Sequence, residues 1–328
     1  MTAPTPGPLR TFWRPTSGRS FALVVAAAAL WGTDPLFRRG LALNLPAPTI
    51  VLVDHLLPVL LVIPLIVRGL RRARGALSPR DWVALVVLGC GSSAIATVLF
   101  TLAFTYGSPT TPVLLQQLQP LFAIVGARIL LGERARPRFG LYLIGGLAGA
   151  YLIAFSDPLH VAAPEWTPAL LTIGAAVLWG LGTVLGRELS AKLPFGELTG
   201  LRLGFGLIAA AAVAFADHDV AVLAHVSGQE VVALILLALV PGLLSLLLYY
   251  RGLRGTPASA ATLGELAFPL TTLLVGYLAF GDSLSATQWI GVALLTSTMT
   301  IMGVTKPGGT PTGVECPDVP KVPAAAAS

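Results

Sequence analysis

Apolar positions in this chain come in long unbroken stretches. They show neither the strict alternation of a half-buried strand nor the one-sided stripe of a surface helix. Residues 21–31 are apolar without interruption, and Gly32, Asp34-Pro35 and Arg38-Arg39 follow. Comparable stretches lie near residues 21–37, 47–67, 82–105, 112–131, 139–156, 168–187, 196–215, 230–250, 258–280 and 286–304. Each is close to the ~20 residues that a helix needs to cross the hydrocarbon of a bilayer. Backbone groups in lipid must bond to one another, which makes these stretches helices. The pattern predicts an all-α integral membrane protein with ten transmembrane helices.

Composition strengthens this. Of 328 residues, 55% are hydrophobic and 11% charged, whereas a soluble domain carries roughly 25% charged residues. The net charge of +6 does not point to nucleic acid, because the basic residues sit in short clusters between apolar stretches, where cytoplasmic loops carry them. Arg68, Arg71, Arg72, Arg74 and Arg80 form one cluster, and Arg134, Arg136 and Arg138 the next. Arg187 with Lys192, Arg251 with Arg254, and Lys306 continue the series. The alternate loops collect Asp157, Glu165, Asp217, Asp219 and Asp282 instead. Both termini are therefore expected on the cytoplasmic side of a cytoplasmic membrane; Arg38 and Arg39 alone break the rule. Residues 1–20 and 305–328 are expected to be disordered: the first is basic and rich in Pro and Ser/Thr, the second rich in Gly, Pro and Ala. Cys90 and Cys316 support neither a disulfide framework nor a zinc site.

An internal repeat organises the chain. At an offset of 148, residues 28–32 (AALWG) recur almost unchanged at 176–180, Arg39 matches Arg187, Leu45-Pro46 matches Leu193-Pro194, and Asp54 matches Arg202. At an offset of 149, Gln116 matches Glu265, Pro120 matches Pro269, Gly132 matches Gly281, and Glu133 matches Asp282. The halves are residues 21–156 and 168–304, with five spans each. An odd count mounts the second half upside down, giving two inverted five-helix repeats, an arrangement that places a substrate site near mid-membrane between the halves.

These motifs carry a family resemblance. ALWG in both first helices, LQPLFAIVGARILLGE at 118–133 and LAFPLTTLLVGYLAFGD at 266–282 resemble the two EamA repeats of the drug/metabolite transporter superfamily. The resemblance covers residues 21–304 and implies a ten-helix secondary carrier, typically an exporter of small metabolites or drugs. It implies an arginine in the second helix of a repeat. Arg202 fits, but the first half has Asp54 there. It also implies Glu before the fourth-helix proline, where this chain has Gln119 and Phe268.

Polar residues inside apolar spans mark the candidate site, since a charge at the bilayer centre costs on the order of 3 kcal/mol. A proline releases the carbonyl four residues earlier. Pro58 releases Asp54, Pro120 releases Gln116, Pro269 releases Glu265, and Pro35 releases Trp31, near Asp34. The candidates for substrate or proton binding are Asp34, Asp54, Gln116, Gln119, Arg202, Glu265, Trp31 and Trp179. Each has a structural alternative. Asp54 can cross-link the halves through Arg202, Asp34 can pair with Arg38 one turn on, and His55 can be a neutral packing residue. Gln116 and Gln119 share a helix face that either lines the cavity or glues helices together, and the two tryptophans can be packing or interface anchors. Gly145/Gly149, Gly182/Gly186 and Gly200/Gly204 are small-residue faces for close helix contact, with homodimerisation the alternative. Glu133 and Asp282 read as hairpin corners.

No G-x-x-x-x-G-K-[ST] is present, so ATP-driven transport by this chain alone is not expected. No H-E-x-x-H or G-x-S-x-G occurs, and four scattered histidines supply no enzymatic, metal or cofactor site. The expected function is a secondary carrier, an exporter by alternating access, with Glu265 and Asp34 available for proton coupling. The partners are a small-molecule substrate and the lipid bilayer. The alternatives are a non-transporting membrane scaffold or sensor, or a flippase for a lipid-linked substrate.

Overall fold

Uninterrupted apolar sequence folds as helix throughout. The computed structural model describes residues 18–106, 110–132, 139–155, 157–159, 163–216, 219–253, 264 and 267–304, and among them there is no strand. Most of the basic N-terminal lead, the tail from 305, Glu133 and Glu265 lie outside the described residues.

The first span is two helices end to end. Helix α1 (Gly18–Trp31) stops where Thr33 N–H turns to the Leu30 carbonyl, which also accepts from Thr33 Oγ1 at 2.7 Å. Helix α2 (Asp34–Asn44) restarts with Pro35 in its first turn, where a missing N–H costs nothing. The expected span 21–37 thus becomes a broken helix that runs on to Asn44. Helix α3 (Ala47–Ala76) continues through Pro58 and Pro64. The third span comprises α4 (Pro79–Val86), a π-helical stretch (Val87–Ile95) and α5 (Ala96–Ala103). The fourth comprises α6 (Thr110–Leu115), one tight 3-10 turn at Gln116–Leu118 and α7 (Gln119–Leu131), with Pro120 in the first turn of α7. Then follow α8 (Phe139–Ala154), α9 (Ala163–Ser190) and α10 (Phe195–Ala216). After a 3-10 stretch (Asp219–His225) come α11 (Gly228–Leu237), a second π-helical stretch (Ala238–Leu244) and α12 (Ser245–Leu253). The last helices are α13 (Ala267–Phe280) and α14 (Ala286–Val304).

Seven of these spans are long and apolar enough to cross a membrane by length and composition, and Gly140–Ala154 and Ala267–Phe280 are shorter apolar helices. The outer surface suits lipid: Leu60, Leu61, Ile144, Leu270, Tyr277 and Leu278 are all more than half exposed, a density of apolar side chains that a soluble monomer does not present.

Local devices recur at matched positions. Ser78 with Asp81 forms a reciprocal capping box at the start of α4, and Ser227 with Glu230 forms the same box 149 residues later at the start of α11. Each capped helix then loosens into a π-helical stretch. Gly132 and Gly281 both have φ of 65°, the left-handed conformation that ends α7 and α13 and that glycine adopts without a Cβ penalty.

Two buried clusters share the same recurrence. One holds Leu41, Leu45, Ile50, Leu234 and Leu237, with Val53, Val222, Val226 and Ala233 packed on it. The other holds Leu189, Leu193, Leu198, Leu85 and Leu88, with Leu201, Ala73, Leu77 and Ala84. Each of these nine residues of the first has its counterpart among the nine of the second, 148 or 149 positions away, while the first cluster runs on through Phe100, Phe104 and Val113, which have none there. Ile50 and Ala73 both lie on α3, and the 23 residues between them rise about 35 Å at 1.5 Å per residue. The clusters therefore close opposite ends of the bundle. A third cluster, around Leu114, Leu118, Leu121, Ile153, Val292 and Leu295, ties α6–α8 to α14.

Candidate functional site

The polar centre of the bundle is built around Arg38. Its α2 position turns the side chain inward, where it is 5% exposed, against 17% for Asp34 and 14% for Asp54. Nε donates to Asp34 Oδ1 at 2.6 Å and Nη2 to Asp34 Oδ2 at 2.7 Å. This two-pronged geometry is the strongest that Arg and a carboxylate form. Nη1 donates to Thr101 Oγ1 on α5 at 2.8 Å, and Nη2 also reaches Asp54 Oδ2 on α3 at 3.5 Å. The guanidinium carbon stands 5.8 Å from the Phe100 ring centroid, within cation–π range. Three elements thus meet on one cation, α2 and α3 through carboxylates and α5 through a hydroxyl and a ring. The second π-helical stretch approaches Asp54 instead: a Cβ added at Gly242 would lie 3.7 Å from Asp54 Oδ1. Next to Arg38, Arg39 donates to the Phe104 carbonyl.

The sequence candidates divide. Asp34 and Asp54 come together, joined by Arg38, which was not among them. The partner shown for Asp54 is Arg38; Arg202, its repeat counterpart, is half-buried on α10 and close enough for its charge to act on His55. His55 is buried, with Nδ1 2.9 Å from the Val51 carbonyl and Nε2 3.1 Å from Ser93 Oγ. A carbonyl only accepts, so Nδ1 carries hydrogen and the neutral ring is satisfied at both nitrogens. Gln116 and Gln119 are half-buried at the two ends of the tight turn between α6 and α7, and Gln119 Nε2 donates to Thr183 Oγ1 on α9 at 3.3 Å. Glu265 falls outside the described residues.

The tryptophans form matched pairs. Trp31 lies against Tyr249 with centroids 5.0 Å apart, and Trp179 against Phe100 at 5.2 Å. Trp179 is the repeat counterpart of Trp31, and Phe100 that of Tyr249, so each pair joins a first helix of one half to a third helix of the other. The adjoining glycines explain the WG motif. A Cβ on Gly32 would stand 2.7 Å from the Phe268 carbonyl oxygen, and one on Gly180 would stand 3.0 Å from the Gln119 carbonyl oxygen. Both contacts are too tight for any side chain, so these glycines let α1 cross α13 and α9 cross α7.

Of the small-residue faces, Gly149 meets α14 within the chain, its added Cβ lying 3.0 Å from the Gly291 carbonyl oxygen, and Gly200 meets the Ile66 backbone at 3.1 Å. These faces are used internally. Asp282 accepts from Thr110 Oγ1 at 2.7 Å. At the other end of the bundle, Arg72 Nε bonds Glu197 at 2.8 Å and Lys192 Nζ bonds Asp81 at 2.5 Å. No group of His, Cys, Asp and Glu able to hold a metal occurs among the described residues.

Comparison with known proteins agrees with this architecture. A model of the EamA-like transporter family matches residues 19–155 and again 166–304. The riboflavin transporter ImpX of Fusobacterium nucleatum subsp. nucleatum is 32% identical over 282 residues, covering 83% of this chain and 93% of that protein. A riboflavin transporter of Rhizobium johnstonii is 31% identical over 192 residues, covering 54% of this chain and 56% of that one. The uncharacterized inner membrane transporter YedA of Escherichia coli K12 is 26% identical over 54% of this chain and 56% of its own length. A solved crystal structure covering 87% of this chain and 98% of its own superposes with a TM-score of 0.55 at 20% identity, a likeness of fold.

Proposed function

The chain belongs to the EamA-like transporter family and is therefore a multi-pass membrane transporter; from that premise we propose a secondary carrier that moves a small metabolite across the cytoplasmic membrane by alternating access. Ten spans form two inverted halves with both termini cytoplasmic, and the substrate occupies a chamber along their seam. The observation that carries the reading is the pair of matched leucine clusters. An inverted repeat supplies the same seal at both mouths, and a carrier needs two seals that open in turn.

The proposed substrate is riboflavin or another planar heteroaromatic compound. The 32% identity to a riboflavin transporter over nearly its whole length supports this. So do the two aromatic pairs, whose faces suit a flat ring better than an aliphatic metabolite. The family resemblance suggests export.

Proteoliposomes containing the purified carrier test the reading. Preloaded with unlabelled riboflavin, they are expected to take up labelled riboflavin by exchange, with no gradient imposed. Exchange absent for riboflavin and for a panel of planar metabolites would overturn it. Cysteine labelling tests the topology: residues 75 and 159 must react from opposite faces.

A further inference from the structure

Arg38 is one cation between two carboxylates, and it does not share itself equally. Asp34 takes two short bonds, Nε at 2.6 Å and Nη2 at 2.7 Å, while Asp54 is reached at 3.5 Å by an Nη2 already engaged. The Asp34–Arg38 fork lies within one helix, four residues apart, so it travels as a unit when α2 moves. The Asp54 contact joins different helices. Its other oxygen faces Gly242 in the second half, so Asp54 sits where the halves must part.

From this geometry, and resting on the carrier reading above, we propose that Asp54 is the proton-binding site of the carrier. Ionised, Asp54 holds α3 to the Arg38 fork and keeps that mouth shut. A proton taken from water onto Asp54 cancels its charge, lets Arg38 go while Asp34 retains it, and frees α2 and α5 to swing from α3. The proton leaves to the other side after the chamber has turned over. The groups around Asp54 are Arg38, which bonds it, Asp34 on the same guanidinium, His55 beside it on α3, and the uncharged 238–244 stretch. Thr101 from α5 meets the same Arg38, and Arg202 from α10 stands near His55. His55, already satisfied at both nitrogens, leaves the carboxylate as the group that changes charge.

The test compares wild type with Asp54→Asn in riboflavin-loaded proteoliposomes. A pH gradient of one unit supports about tenfold accumulation if one proton moves per substrate. The wild type is expected to approach that ratio. Asp54→Asn is expected to fall to unity, because a side chain that cannot take a proton cannot draw on the gradient. Accumulation retained by the variant would overturn the assignment. So would exchange lost together with accumulation, which would make the residue part of the moving framework. Infrared difference spectra of the purified protein supply a readout independent of substrate. A carboxylic acid band that titrates with pH in wild type and vanishes in Asp54→Asn is expected; no such band, or one unchanged in the variant, overturns the proposal. Exchange absent in wild type alongside a titrating Asp54 band would instead sink the carrier reading.

Discussion

The two ends of this bundle are packed with one leucine framework and tied by different ion pairs. Leu41, Leu45, Ile50, Leu234 and Leu237 close one end, and their counterparts Leu189, Leu193, Leu198, Leu85 and Leu88 close the other. At the first end the latch is the Arg38 cluster, with its guanidinium 5% exposed. The positions matching Asp34, Arg38 and Asp54 in the second half are Gly182, Gly186 and Arg202, so that cluster has no twin. At the second end the cations lie on the rim and their carboxylates are buried: the Arg72 side chain is 55% exposed and Lys192 38%, against 11% for Glu197 and 3% for Asp81. Both halves carry the hydrophobic framework, and the charges at the two ends differ in which partner is buried: the cation Arg38 at the first, the carboxylates Asp81 and Glu197 at the second.

That contrast can be broken in graded steps. The largest effect is expected from Arg38→Ala, which removes a buried cation from two carboxylates that are 17% and 14% exposed, at a cost of up to about 3–5 kcal/mol; thermal unfolding in detergent reads it, and Asp34→Asn added on top should recover part of the loss. Next come the seals. Leu237→Ala and Leu88→Ala each remove a counterpart side chain, buried to 1% exposure in both cases, and should each cost about 2–5 kcal/mol. A clear inequality between the two unfolding midpoints would show that the frameworks are not equivalent. The capping boxes give a smaller paired test. Ser78→Ala and Ser227→Ala should each destabilise by about 1 kcal/mol, seen as comparable rises in amide exchange in the first turns of α4 and α11. Arg72→Gln should do least, about 1 kcal/mol or less, because the lost cation is 55% exposed and Arg68 and Arg71 line the same recess around Glu197; unfolding should be nearly unchanged.

The helices and the repeat were legible because lipid imposes a rule that single residues obey, and because AALWG and the paired glycines survive in both halves. The WG glycines announced a close crossing, though not which helix they cross. Arg38 was missed as a centre, yet the signal was there. It was one of two cations that broke the charge rule for loops, and a cation out of place beside Asp34 has been recruited inward. The break after Trp31 was legible in Pro35, but its means was not: Thr33 turns the chain by bonding Leu30 through both main chain and hydroxyl. The π-helical stretches left no trace either, since their sequences are as apolar as those of regular helices. The Asp54–Arg202 pairing was inferred from equivalence in the repeat; what that reasoning could not supply is that the α2 extension also brings Arg38 within 3.5 Å of Asp54.

Burial of Arg38 decides which mouth the surrounding electrolyte can influence. Dissolved ions weaken charge pairs that water can reach, over a screening distance near 8 Å at physiological strength, but they cannot enter a packed interior. Raising salt should therefore loosen the Arg72 and Lys192 bridges while leaving the Arg38 fork intact. Ionic strength should thus act on one end of the bundle before the other, loosening the helices on the arginine-rich side first.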